Sequence, residues 1–242
     1  MALEVIHPFT YQEFNAHAGD TAQAIINYFT NHNLNFWTET LRRYSFRHTD
    51  YQQGIETRLE FNEKITSCTD AEFFAVVNEI LEWGGMDSLT DEINQELRRS
   101  IDCLDRLARN EIVTLNELCV ERLASISKIY EMWDLDNWII YDSYCARGLQ
   151  WIVSSLWQSL GHRTNERLLK LPWPPGRVGS PFAGFPRTAD TAPKQKRLAF
   201  IYGSWFCKAI AERLITIENT SFNWRPFHIE MIAFQLGHEI RG

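Results

Sequence analysis

Apolar side chains in this chain recur three and four residues apart, and no stretch alternates apolar with polar long enough to form a half-buried strand. Helical stripes of this kind need other helices to cover them, so the pattern confines the chain to layers of packed helices. Ile25, Ile26 and Phe29 mark a helical run over 20–29, after a shorter run over 10–15. Phe36, Trp37, Leu41 and Tyr44 carry the pattern through 37–44. Thr69 with Glu72 three residues on opens a helix that buries Phe73, Val76, Val77, Ile80 and Leu81. It closes at Trp83-Gly84-Gly85, where glycine suits a left-handed cap. Ser88 or Thr90 opens the next helix, through Ile93, Leu97, Ile101 and Leu104. Thr114 caps a short one over 115–122, and another runs over 126–133. Asp142 or Ser143 caps a long helix through Leu149, Ile152, Val153 and Leu156. A helix over 196–217 follows, and Pro226 stands in the first turn of the last, over 227–240. Trp138 to Tyr141 is too short for a strand, and the expectation is an all-α fold. Between 172 and 193, six prolines and three glycines read as a long loop.

With 242 residues the chain has length for a substantial core. A net charge of −7 argues against a uniformly basic nucleic-acid binder, but the charge is uneven. His162 to Arg197 holds Arg163, Arg167, Lys170, Arg177, Arg187, Lys194, Lys196 and Arg197 against Glu166 and Asp190, a local basic patch on an acidic body. Nine tryptophans and fifteen phenylalanines serve a core and also make stacking platforms for bases. Five widely spaced cysteines form neither a zinc pattern nor a disulfide framework, which fits reduced thiols and a cytoplasmic location. The first Lys or Arg is Arg42, so no charged leader is expected. The longest nearly apolar run, Leu198 to Cys207, is too short to span a bilayer. His162, His228 and His238 lack metal-ligand spacing, and Asp134-Leu135-Asp136-Asn137 lacks the glycine and glutamate of a calcium loop, so it reads as a helix stop.

Within this frame two polar residues attract interest. Lys128 and Asp142 stand fourteen residues apart, each read at the start of a helical segment. A helix N-terminus favours the aspartate and disfavours an ammonium. A lysine held there is either solvated or has a lowered pKa that frees its amine for nucleophilic attack. Taken singly, each has an ordinary role. Lys128 lies two residues from Ile126, off the apolar side of its helix, and Asp142 is an N-cap.

The residues around the pair resemble a known group. Leu123-Ala124-Ser125-Ile126-Ser127-Lys128-Ile129, followed by Tyr141-Asp142-Ser143-Tyr144-Cys145-Ala146-Arg147-Gly148-Leu149, is similar to the catalytic core of the helix-hairpin-helix DNA glycosylases, nearest the prokaryotic 8-oxoguanine DNA glycosylase-like group. Trp83-Gly84-Gly85 and the stretch Arg225 to Gly237 look similar to that group as well. The likeness covers roughly 80–240. The hairpin here, Leu123 to Ser127, has no glycine.

The resemblance implies a two-lobed helical fold, with an N-terminal helical region over 1–86 and a catalytic region over 87–242. It implies excision of a modified base from double-stranded DNA, with Lys128 as nucleophile, Asp142 as activating carboxylate and, through the lysine, an accompanying lyase step. The base is flipped into a pocket for which Trp133, Trp138, Tyr141, Tyr144, Trp173 and Phe182 are the candidates. Ser125, Ser127, Arg147, Arg177, Arg187, Lys194, Lys196 and Arg197 are the candidate DNA contacts. No cofactor, metal, membrane or obligate protein partner is implied. Oxidised guanine is the default base of the group. A hypermodified phage base, removed in antiviral defence, is its competitor. From another class, a non-catalytic helical DNA-binding or interaction module retaining the fold stands as the alternative.

Overall fold

A computed structural model describes residues 10–159, 193–218 and 222–240. Among these the chain is helical with no strand, and its one bridge, Phe46 to Thr49, closes a turn. Helix α1 is Tyr11–His32, α2 Phe36–Arg42, α3 Tyr51–Ser67, α4 Phe73–Trp83 and α5 Asp91–Ala108. After a single 3-10 turn, Leu115–Glu117, come α6 Leu123–Trp133, α7 Ser143–Ser159, α8 Pro193–Glu218 and α9 Pro226–Glu239.

Local chemistry accounts for the ends. The Thr10 hydroxyl accepts from Glu13 N while the Glu13 carboxylate accepts from Thr10 N, so α1 starts with a reciprocal cap and runs unbroken where two runs were expected. Asp50 and Gln53 make the same exchange at the start of α3. Helix α3 was not anticipated at all. Its buried side, Gly54, Arg58, Phe61 and Ile65, is too polar to read as a stripe. Helix α4 ends at Gly85, which takes a φ of +68° as a left-handed cap requires. The guanidinium of Arg47 donates to the carbonyls of Glu82 and Trp83 and closes that end. The short helix expected over 115–122 shrinks to the 3-10 turn, because Arg122 takes a left-handed φ of 50° and α6 starts directly after it. Asp134 stops α6: its carboxylate accepts from Asp136 N and the Asn137 amide.

One continuous apolar cluster runs from Tyr11 to Leu236. Helix α1 packs on α8, α7 on α9, and α6 on α3 and α4. At the α7–α9 crossing the backbones nearly touch: a Cβ on Gly148 would overlap the Ala233 carbonyl, and one on Gly237 the Tyr144 carbonyl. This crossing sets the start of α7, and hence Asp142, against the rest of the molecule. Among the described residues no helix is long and apolar enough to cross a membrane.

Candidate active site

An open cavity of about 740 Å³ lies between the end of α4 and the starts of α6 and α7. It is lined by Gly85, Met86 and Asp87, by Arg122 to Ser125, by Tyr141 to Tyr144 and Ala146, and by Lys196 of α8. Asp142 caps α7 at its mouth. Its Oδ1 accepts from Tyr144 N and Cys145 N, each at 2.9 Å. Those bonds and the helix field fix the carboxylate in place.

Lys128 corrects the expectation that it begins a helix. It is the sixth residue of α6, and it is 3% exposed rather than solvent-facing. The two-residue offset from Ile126 misleads because Ser125 through Met132 are all buried. Helices α3 and α4 cover one side, and the strap before α7 covers another. The lysine stem lies across Gly84, where any side chain would collide with its Cδ and Cε, which explains a glycine one residue before the left-handed cap. Nζ donates to the Ala124 carbonyl at 2.9 Å, and Ala124 itself lines the cavity. Burial lowers the lysine pKa; Asp142, Glu230 and Glu131 oppose the shift. The outcome is a buried amine, bonded to the Ala124 part of the cavity wall, that loses its proton more readily than a surface lysine does.

Beneath the lysine lies a cluster that the sequence did not announce. Arg58 of α3 is fully buried, with Nε 2.7 Å from Glu131 of α6 and Nη2 2.9 Å from Glu230 of α9. Its guanidinium also reaches the Gly54 carbonyl and the Tyr44 hydroxyl. The second oxygen of Glu131 accepts from Ile140 N at 2.7 Å, and the Ser127 hydroxyl accepts from Tyr141 N at 3.0 Å. Two side chains one turn apart on α6 therefore pin the segment that leads into Asp142 to the helix that carries Lys128. The signals for α3 were the Asp50–Gln53 cap and the spacing of Arg58, Phe61 and Ile65; nothing in one sequence pairs Arg58 with Glu131 and Glu230.

The other candidates divide. Ser125, Tyr141, Tyr144 and Lys196 line the cavity with Asp142. Ser127 is wholly buried and spends its hydroxyl on Tyr141 N, so it does not face a ligand. Trp138 is in the core, stacked on Phe200, and is not a pocket wall. Trp133 borders a separate cleft, with its indole N–H on Asp105. Arg197 donates to the Leu118 carbonyl and to Asn116 and braces the 3-10 turn. Lys194 is exposed and Arg147 is buried. Trp173, Arg177, Phe182 and Arg187 lie outside the described residues. Leu123 to Ser127, expected as a glycine-free hairpin, instead open helix α6; the left-handed turn falls on Arg122 just before it, whose guanidinium donates to the carbonyls of Asp87 and Ser88. His228 is buried, its pKa pushed down to about 3 chiefly by burial, and it accepts from Arg225 N as a neutral cap. Among the described residues no group of three or more His, Cys, Asp or Glu side chains is placed to hold a metal ion.

Compared with family models, curated proteins and solved structures, the chain matches none.

Proposed function

We propose that the protein is a DNA N-glycosylase that removes a modified base from double-stranded DNA, with Lys128 and Asp142 at its centre. The observation that carries this reading is a cavity large enough for a nucleoside, lined by the helix-capping carboxylate of Asp142 and by Ala124, with a buried lysine of lowered basicity bonded to the Ala124 carbonyl and within electrostatic reach of Asp142. A glycosylase that works through a covalent imine uses both groups. As the base leaves, positive charge grows on the sugar, and the fixed carboxylate of Asp142 stabilises it without reorganising. The Lys128 amine attacks C1′, the bond to the base breaks, and the base departs with the bonding electron pair and gains a proton. Loss of the amine proton and opening of the sugar ring then give an imine between Nζ and C1′. Lowered basicity serves the attack, since only the unprotonated amine has a lone pair to offer.

The test is mass spectrometry of bases released from genomic DNAs carrying oxidised or hypermodified bases, with borohydride added to trap the imine. Wild type is expected to release one modified base and to become covalently joined to the DNA. Lys128→Gln loses the covalent product. Unchanged release and trapping in that variant removes the lysine from the mechanism.

A second reading has one observation in its favour. Nζ of Lys128 is committed to the Ala124 carbonyl and is almost wholly screened from solvent, as suits a helical DNA-binding module without catalysis. DNA binding with no base released from any modified DNA establishes that alternative.

A further inference from the structure

The segment between α6 and α7 is neither helix nor strand, yet Trp138, Ile139, Ile140 and Tyr141 are all buried. Backbone N–H groups buried in this way need acceptors. Trp138 N bonds the Asp134 carbonyl at 3.0 Å, in the turn that closes α6. Farther on, the acceptors are side chains of α6 itself. Ile140 N donates to Oε2 of Glu131 at 2.7 Å, and Tyr141 N to the Ser127 hydroxyl at 3.0 Å. The segment therefore runs antiparallel to α6, back toward the first turn of that helix. The next residue is Asp142, which lines the cavity together with Ala124 of that first turn. Nζ of Lys128 rests on the Ala124 carbonyl.

Satisfying two N–H groups does not call for a buried charge. A neutral hydroxyl accepts from a backbone N–H, as Ser127 shows. Glu131 is instead a wholly buried carboxylate, and its other oxygen is held by Nε of Arg58 at 2.7 Å. Burying such a pair is costly, and charge-assisted bonds are shorter and stronger than neutral ones. The result is a stiff clamp, anchored in α3, on the backbone just ahead of Asp142. Ser127 supplies a second fixed point and is itself the neighbour of Lys128 in sequence. Neither Ser127 nor Glu131 lines the cavity.

We propose that Ser127 and Glu131 are positioning residues for the reaction: through the backbone of Tyr141 and Ile140 they fix the carboxylate of Asp142 relative to the amine of Lys128. Neither touches substrate. The inference rests on the reading of Lys128 and Asp142 as a working pair, but it concerns the placement of the pair, which is measurable without DNA.

Ser127→Ala, Asp142→Asn and the double variant are compared with wild type in two measurements. Ser127→Ala is chosen because it removes one acceptor and leaves the buried ion pair of Glu131 and Arg58 intact. The first measurement is the titration of Lys128, followed by NMR of isotopically labelled lysine and assigned by the signal missing from Lys128→Met. The charge of Asp142 raises this pKa, as do Glu230 of α9 and Glu131 of α6, while Arg58 of α3 lowers it. Asp142→Asn is therefore expected to lower the titration of Lys128. Ser127→Ala lowers it too, by letting the carboxylate drift from the amine, and adds nothing in the double variant, where no carboxylate is left to drift. The second measurement is the rate of borohydride-trapped imine, which falls about tenfold or more in Ser127→Ala. Affinity for a duplex bearing a tetrahydrofuran abasic analogue stays that of wild type. A Lys128 pKa that is unchanged or raised in Ser127→Ala overturns the proposal, and so does a shift equally large with and without the Asp142 charge. Trapping at the wild-type rate in Ser127→Ala overturns it as well. If the titrations behave as expected while no DNA yields a free base, the glycosylase reading fails and the placement of Asp142 by Ser127 stands.

Discussion

Asp142 does two jobs that substitution separates. As a cap its Oδ1 holds two backbone N–H groups, and asparagine caps as well as aspartate does. Asp142→Asn is therefore expected to unfold within about 0.5 kcal/mol of wild type in urea, whereas Asp142→Ala costs about 1 kcal/mol. Base release should be lost in both, because the charge is gone from both. If Asp142→Asn retains release, the carboxylate is a cap and nothing more. Lys128 separates by pH. Burial holds its folded pKa below the ordinary 10.5, so between the two values the unfolded chain binds more protons than the native one. Stability from this group therefore rises with pH through that window and is complete above 10.5. Measured against Lys128→Met, wild type should gain stability as pH rises toward 10.5, and the variant should be neutral to about 2 kcal/mol more stable near pH 7. A flat difference across the window would mean that the amine is not desolvated.

At the scale of elements, helix existence was legible except for α3, whose buried side is too polar to show as a stripe, and helix surroundings were not. The caps Thr10, Asp142 and Pro226 and the glycines at the end of α4 mark boundaries because each acts through neighbours in sequence. The α7–α9 crossing has no local signature: Gly148 and Gly237 are mid-helix glycines whose reason lies in a second helix. Helix α6 misled for the same cause, since it is wrapped on several sides and a helical wheel drawn on one stripe puts Lys128 in water. Likewise Trp138 and Ser127, near Lys128 and Asp142 in sequence, turn into the core because α8 and the segment before α7 meet them there. The crossing makes its own prediction. Gly148→Ala and Gly237→Ala each drive a methyl into backbone that cannot swing aside, and each should cost roughly 1–3 kcal/mol in thermal unfolding. Both changes pry apart the same pair of helices, so the double variant should lose less than the sum. Strict additivity would show that the two helices relax independently.

Across the whole molecule, Arg58 joins α3, α6 and α9 at one point, and through Glu131 it reaches the backbone that enters Asp142. A single guanidinium stands between two buried carboxylates, and the two are not equivalent. Glu131 also accepts a backbone N–H, whereas Glu230 has Arg58 alone among the described bonds. Burial pushes the Glu230 carboxyl well above the usual range, Arg58 pulls it back, and the Glu131 and Asp142 charges push it further up. For an acid raised in the folded state, stability is complete below the unfolded value and is lost as pH rises through the folded one. Glu230→Gln, which removes that titration, should thus gain on wild type as pH rises above about 5. Arg58→Met leaves both carboxylates without their counter-ion and should cost about 3–5 kcal/mol at pH 7. The deficit should shrink on acidification, because protons then neutralise what the arginine had neutralised. Urea unfolding of wild type, Arg58→Met and Glu230→Gln from pH 5 to 8 measures both slopes. A deficit in Arg58→Met that stays constant over that range would mean that the arginine acts by filling space, and that the charge beneath Lys128 is not what holds the site together.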